Sequence, residues 1–350
     1  MVESATEKLR VAIAGCHRMV QSAPGSHNFA AAFAAVPQLQ VAAVFDRGAD
    51  TRAQFVDCWE GVWGRVPAYD DYERMLEQVE PDLVCIATRQ TQHAGQIEQA
   101  VRAGVRGVLC DKPLATSLVE ADRIAAACRD VPLLLALDRR WVEGYQAVRR
   151  LIAAGEIGEI TSLIAYGLPN LINHGCHWYD TMLALAGDLE PLWVGGLVDD
   201  VAGESEDSLR RLDPPGRGQI GLANGLVLYF TPDGKHQNSS ISFEVIGESG
   251  RLFLFDDARE SYIWRGGEGS LEKLELPGAT GPWPAGAAMV QDLVQAVQTG
   301  GRTACDVEQV RRATEIGFAI HLSSRRDGAR VTLPAEERSL CVESFPWGNE

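Results

Sequence analysis

Short continuous apolar runs alternate with longer amphipathic stretches over the first third of the chain. The runs at 10–14, 41–45, 82–87, 107–110 and 132–137 are too short for helices and lack the polar alternation of a half-exposed strand. They predict strands buried on both faces. The stretches at 28–36, 51–58, 69–78, 91–103 and 117–128 predict helices, and Pro37 and Gly104 follow the first and fourth of them directly. Strands and helices in strict alternation, with short connections, predict a doubly wound parallel sheet covered on both faces.

The pattern changes after residue 138. Helices are expected at 145–154 and 175–186, with a β-branched strand at 160–166 between them. From 192 to 264 the chain reads as strands separated by turn signals, Ala223-Asn224-Gly225 and Pro232-Asp233-Gly234 among them. Helices return at 289–298 and 307–323, and the most loop-like stretches are 213–218 and 277–286. The expectation is α/β overall: residues 1–138 form a dinucleotide-binding domain of the Rossmann type, and 139–350 a second, α+β domain with a large, mostly antiparallel open sheet.

Composition narrows the function. The chain has 350 residues, with 48 acidic against 32 basic side chains and a formal net charge of -16. At about 100–200 residues per domain, that length suits two domains. The mean field repels phosphate backbones, so nucleic acid and anionic membranes are poor partners. The longest apolar run, 29–36, falls far short of the roughly 20 residues of a membrane-spanning helix. The first ten residues mix both charge signs and do not read as a signal peptide. Eight scattered cysteines without C-x-x-C spacing read as buried hydrophobes in a reducing compartment, which points to the cytoplasm.

Gly15 directly follows the first strand, where dinucleotide-binding folds place a glycine turn so that backbone approaches the pyrophosphate. The rest of the fingerprint is irregular. His17 occupies the second-glycine position, and the loop runs several residues long before Gly25, Ser26 and the helix near 27–28. Read alone, the pattern equally suits a plain turn; Arg18 is placed to meet phosphates directly. Asp46 closes the second strand, where a carboxylate accepts from the adenosine ribose hydroxyls and disfavours a 2′-phosphate. That leans to NAD, while the neighbouring Arg47 leaves NADP open. A simple strand-end turn residue is the competing reading of Asp46.

Two constellations carry chemistry. Cys110-Asp111-Lys112-Pro113 follows the fourth strand run, and ligands of open parallel sheets bind beyond the carboxyl ends of strands. A lysine there can stabilise the charge developing on a hydroxyl being oxidised; a solvated Asp-Lys pair is the alternative. The second is Asn173-His174-Gly175-Cys176-His177-Trp178-Tyr179-Asp180. On an ideal helix Asn173, His177 and Asp180 fall within roughly 60° of one another. Histidine is the usual general base near neutral pH. A core histidine is the plainer reading; a metal held by His174, His177 and Asp180 is disfavoured because His174 points away and no fourth ligand follows. Trp141, Trp178 and Tyr166 suit stacking on a ligand's face as well as core packing.

Taken in order, Gly15, Asp46, the segment 87–93, Asp111-Lys112-Pro113, the segment 137–141 and Gly175-Cys-His-Trp-Tyr-Asp180 resemble the glucose–fructose oxidoreductase / inositol dehydrogenase family (Gfo/Idh/MocA). Residues 243–252 and 307–334 also resemble that family's C-terminal domain. The resemblance implies a nicotinamide cofactor, hydride removal from a secondary alcohol of a sugar or cyclitol, and a homodimer or homotetramer whose face is often the open sheet. It implies Lys112 as the catalytic lysine, with Asp111 replacing the usual glutamate, and His177 as the proton acceptor. Arg139 and Asp180 match pocket-lining positions. Thr88, Gln90 and His93 match the loop beside the cofactor. Asn173 stands where many members carry an aspartate that orients the histidine; asparagine can hydrogen-bond the ring but brings no charge.

The expected catalytic set is therefore Lys112, His177 and Asn173. The cofactor set is Gly15, His17, Arg18, Asp46, Arg47, Thr88, Gln90, His93 and Asp111. The substrate set is Lys112, Arg139, Trp141, His174, His177 and Asp180, and no metal is expected. The expected activity is NAD(P)-dependent oxidation of a sugar, glycoside or cyclitol. The alternatives are lyase, epimerase or glycosidase chemistry with recycled NAD, and a non-catalytic sugar or nucleotide sensor that kept the fold.

Overall fold

The computed structural model describes residues 8–21, 27–199, 210–232, 241–267, 269–277 and 283–344. Gly25, Ser26, the turn residues Asp233 and Gly234, and part of the expected loop 277–286 lie outside them. The chain divides into two compact units.

The chain opens with β1 (Leu9–Ala14), α1 (Phe29–Ala34), β2 (Leu39–Phe45), α2 (Ala49–Trp63), β3 (Ala68–Tyr69), α3 (Tyr72–Val79), β4 (Leu83–Ile86), α4 (Gln90–Arg102), β5 (Gly107–Cys110), α5 (Leu118–Ala127) and β6 (Leu133–Leu135), all in the first unit except the start of α5, since residues 115–121 belong to the second. The strands pair in the order β3-β2-β1-β4-β5-β6, all parallel. This is the doubly wound sheet expected from the apolar runs. Every residue of β4, β5 and β6 is buried, as a strand covered on both faces requires. The two-residue strand β3 has no apolar run to announce it; it was expected as part of a helix, which instead begins at Tyr72 behind an Asp71 cap that accepts from Arg74 N at 2.9 Å.

The first unit also takes up the chain again after the second, through residues 279–307, so it is not confined to the first 138 residues. A Cβ on Gly107 would come within 2.7 Å of Val297 Cγ2 and 3.3 Å of Leu293 Cδ1, so the late helix carrying those residues lies directly on β5. Thr303 Oγ1 donates to Leu133 O at 2.9 Å and ties the same stretch to β6.

The second unit contains α6 (Glu143–Ala153), β7 (Ile160–Tyr166), α7 (Gly175–Leu185), β8 (Pro191–Val198), β9 (Arg210–Leu212), β10 (Gly216–Leu222), β11 (Val227–Thr231), β12 (Ser242–Gly247), β13 (Arg251–Phe255), β14 (Glu260–Trp264) and β15 (Glu272–Leu274). The late helix of the first unit is α8 (Pro284–Thr299); α9 (Val307–Ser324), β16 (Val331–Thr332) and β17 (Cys341–Ser344) complete the chain. Nine strands pair in the order β15-β14-β13-β12-β7-β11-β10-β8-β16, antiparallel throughout except for β11 on β7. The inward side chains, including Leu163, Ala165, Leu228, Phe230, Phe243, Val245, Leu252 and Leu254, are at most 2% exposed and share one core with Tyr179, Met182, Ile316 and Phe318. The other face of the sheet carries Ile164, Tyr166, Leu197, Tyr229, Phe253 and Phe255, of which Tyr166, Leu197, Tyr229 and Phe255 are exposed. Among the described residues no helix is long and apolar enough to cross a membrane.

Candidate active site

In the first unit, expected cofactor and substrate residues stand just beyond the carboxyl ends of parallel strands: Gly15 after β1, Asp46 after β2, Thr88 after β4, Asp111 and Lys112 after β5, and Arg139 after β6. The sheet order reverses between β1 and β4, the switch point where such sheets bind ligands.

Gly15 has a φ of 85°, and a Cβ there would meet Ala87 O at 2.5 Å. Its N–H donates to Phe45 O at 2.8 Å, while Ala87 N donates to Ala14 O at 2.7 Å. The turn is thus pressed against the ends of both neighbouring strands, and only glycine fits it. The irregular remainder of the loop is anchored from below. Residues His17–Met19 form one turn of 3-10 helix with Met19 buried, and Trp59 Nε1 donates to Met19 O at 2.6 Å. Further on, Asn28 caps α1 by accepting from Ala31 N and donates to Gln21 O at 3.2 Å, which closes the neck of the loop. His17 and Arg18 are exposed on it.

The Asp46 carboxylate links two turns. Oδ2 accepts from Cys16 N at 3.0 Å and Oδ1 from Gly48 N at 2.9 Å. Oδ2 also takes the Cys16 thiol at 3.8 Å, while Oδ1 keeps a further lone pair, so the group can accept from a ribose hydroxyl of a dinucleotide. Arg47 is exposed. Arg52, which sequence reasoning missed, donates through Nη1 to Asp46 O at 2.6 Å and Arg47 O at 3.1 Å and braces this turn from α2. Burial, then the Asp46 charge, pushes the Cys16 thiol up to about 12, so it stays protonated beside the turn.

The segment after β4 differs from expectation. His93 is fully buried, with Nδ1 2.9 Å from Pro113 O and Nε2 3.2 Å from Thr88 O. Burial lowers its pKa, opposed by the Asp111 charge. It joins the turns after β4 and β5 from behind, rather than presenting a ring surface to a cofactor. Gln90 is buried as well, while Thr88 is half-buried. Asp111 N donates to Ile86 O at 2.8 Å, and the Asp111 carboxylate accepts from Lys112 N at 2.8 Å, which sets the backbone at the lysine. Lys112 itself is half-buried, and its bond to Pro113 is cis.

After β6, Arg139 is half-buried with Nη1 3.7 Å from Asp138 Oδ1, and Trp283 Nε1 holds the other Asp138 oxygen at 2.8 Å. Trp141 is buried. It is a core residue of the first unit and not a stacking platform.

In the second unit, α7 begins at Gly175 with His174 as its N-cap residue. Asn173 therefore precedes the helix, and the single helical face expected for Asn173, His177 and Asp180 reduces to His177 and Asp180, three residues apart. His177 and His174 are half-buried; Asn173 and Asp180 are buried. Asn170, which sequence reasoning missed, is fully buried and grips His174 twice. Its Oδ1 accepts from His174 N at 2.7 Å and its Nδ2 faces His174 Nδ1 at 3.0 Å. The backbone N–H can only donate, which fixes the amide's orientation, and the amide nitrogen can only donate in turn. His174 Nδ1 is therefore an acceptor, and the ring carries its proton on Nε2. Trp178 is buried with its indole N–H donating to Tyr166 O at 2.8 Å, a packing role.

Residues 9–138 match the family model GFO_IDH_MocA, described as an oxidoreductase family with an NAD-binding Rossmann fold. The chain is 32% identical over 162 residues to dTDP-3,4-didehydro-2,6-dideoxy-alpha-D-glucose 3-reductase of Streptomyces violaceoruber, covering 45% of this chain and 43% of that protein. It thus spans less than half the length of that relative. It is 27% identical over 294 residues to D-apiose dehydrogenase of Paraburkholderia graminis, covering 77% of each chain. Its fold is that of levoglucosan dehydrogenase, solved in complex with NADH and levoglucosan, with a TM-score of 0.77 at 18% identity over 94% of this chain and all of the other.

Proposed function

Since the chain belongs, through residues 9–138, to the Gfo/Idh/MocA oxidoreductases with their NAD-binding Rossmann fold, we propose that it oxidises a secondary hydroxyl of a sugar, glycoside or cyclitol, or runs the reverse reduction. The observation that carries the reading is the set of groups at the strand ends of the first unit: the Gly15 turn, the doubly hydrogen-bonded Asp46 carboxylate and Lys112 beyond β5. The relatives named for apiose and a dTDP-sugar support a sugar as substrate.

Bound NAD supplies the hydride acceptor. The protein's part is to hold the alcohol, take its proton and steady the charge on its oxygen. His177 takes the hydroxyl proton, since a half-buried imidazole is the side chain suited to that task near neutral pH. Lys112 donates a hydrogen bond to the same oxygen and stabilises its developing negative charge. Arg139, His174 through its Nε2–H, and Asp180 bind the remaining hydroxyls. Gly15, Arg18 and Asp46 bind the dinucleotide, and Asp46 sets the preference for NAD over NADP.

We also propose that the protein self-associates through the open face of the nine-stranded sheet, where Tyr166, Leu197, Tyr229 and Phe255 are exposed together on one surface. A cytoplasmic setting goes with eight cysteines that are all free thiols.

A panel of sugars, glycosides and inositols offered with NAD and with NADP, read by absorbance of the reduced nicotinamide, tests the activity. Turnover of at least one polyol with NAD is expected. Binding of NAD without turnover of any of them would contradict it.

A further inference from the structure

Asp213 lies in the loop between β9 and β10, a stretch whose Pro-Pro-Gly sequence reads only as a connection. Its side chain is fully buried. Oδ1 accepts from Leu171 N at 3.0 Å and Ile172 N at 2.8 Å; Oδ2 accepts from Ile172 N at 3.0 Å and Asn173 N at 2.7 Å. One carboxylate thus takes the backbone N–H groups of three consecutive residues some 40 positions away in sequence. Those residues form the turn that delivers the chain to α7.

The same turn is packed to backbone contact on its other sides. A Cβ on Gly317 would meet Leu171 O at 2.6 Å, and one on Gly175 would meet Asn170 O at 2.9 Å. A Cβ on Gly216, three residues after Asp213, would come within 3.1 Å of the Leu171 side chain. Pro214 O accepts from Leu171 N as well. A turn held this tightly, just before a helix, fixes the direction in which that helix sets out.

We propose that Asp213 is a positioning residue for the proton-accepting helix: by holding the Leu171–Asn173 amides it sets where His174 and His177 stand. The proposal rests on the assignment of His177 as the base. It also bears on Asn173, whose side chain carries no charge. The carboxylate here meets residue 173 through the backbone N–H. The charge acts within α7 too, since Asp213 is the second cause, after burial, that pushes the Tyr179 phenol well above its ordinary pKa.

The test is hydrogen–deuterium exchange, joined to kinetics, on the full chain. In the wild type the amides of Leu171, Ile172 and Asn173 exchange slowly although they precede the helix; fast exchange there overturns the proposal. Asp213→Asn keeps the shape but faces an amide N–H₂ toward donors. In that variant exchange across 170–177 rises about tenfold or more while the first unit keeps its protection. NAD affinity stays within about twofold, and kcat on the oxidised sugar falls by roughly 10–100-fold. A folded Asp213→Asn protein with wild-type exchange at 171–173, or with a lower kcat explained wholly by weaker NAD binding, overturns it. Asp213→Ala, which removes the acceptor altogether, raises exchange further; should it fail to fold, Asp213→Asn decides. If the wild type oxidises no polyol, the functional reading fails, and the exchange data together with the imidazole NMR signals of His174 and His177 still decide the positioning claim.

Discussion

The two units hold their candidate side chains by different means. In the first, a parallel sheet presents them at strand ends. Gly15, Asp46, Thr88, Lys112 and Arg139 each follow a strand, and short local bonds such as Asp111 Oδ1 to Lys112 N set their backbone. In the second, no strand end supplies His177. It stands on a helix whose entry turn is fixed by Asp213, from a loop some 40 residues away. The first arrangement comes with the topology, since every βα turn of a parallel sheet arrives at the same edge. The second depends on one buried carboxylate and three glycines, and a single substitution can loosen it.

This contrast is open to direct attack, and the largest effects fall on the chemistry. Lys112→Ala and His177→Ala each lower kcat by roughly 100–10,000-fold. In His177→Ala the fall in kcat/KM on the acid side of the pH profile also disappears. The sign follows from the base: activity needs neutral imidazole, so the wild-type rate is lost as pH drops through the histidine pKa. Steady-state kinetics over pH check both variants, and a retained acid limb points to another base.

Next in size is Asp46→Ala. Loss of hydrogen bonds to a charged acceptor costs about 1.5–3 kcal/mol each, so NAD affinity falls roughly 10–100-fold, and the preference over NADP narrows. Calorimetric titration with both dinucleotides reads this; an unchanged preference would remove Asp46 from the ribose site. Gly15→Ala should act on both stability and affinity. Its φ of 85° and the 2.5 Å approach to Ala87 O leave a methyl no room, and strain of this kind costs about 1–3 kcal/mol. The midpoint of urea unfolding and the NAD Kd report it together.

The smallest effect is reserved for the open sheet. Tyr229→Asp, on the exposed face, changes unfolding stability by about 0.5 kcal/mol or less but weakens self-association in sedimentation experiments. A variant that sediments as the wild type would place any subunit contact elsewhere.

The first unit's fold was largely legible in the sequence, because strands buried on both faces leave continuous apolar runs, and the candidate residues follow their ends. The exceptions are instructive. Strand β3 is two residues long and had no run to show. His93 matched the cofactor loop by position, yet its ring turned inward to two carbonyls. Position along the chain does not reveal which way a side chain points. Trp141 likewise fell to the core. In the second unit the histidine proposed as base stood out, since a histidine near an aspartate on a glycine-led helix is a visible pattern. What supports it did not. Asn170 lies in a stretch with no periodicity, and Asp213 in one that reads as a connection, because a buried acceptor is defined by the donors that fold onto it and not by its neighbours.

The division of labour between the units is tested most directly by one paired measurement on His177→Ala: NAD affinity by calorimetry beside turnover of the polyol found in the panel. The account predicts an NAD Kd within about twofold of wild type and turnover reduced by at least about 100-fold. Turnover retained at the wild-type level, or NAD binding lost together with it, would contradict the account.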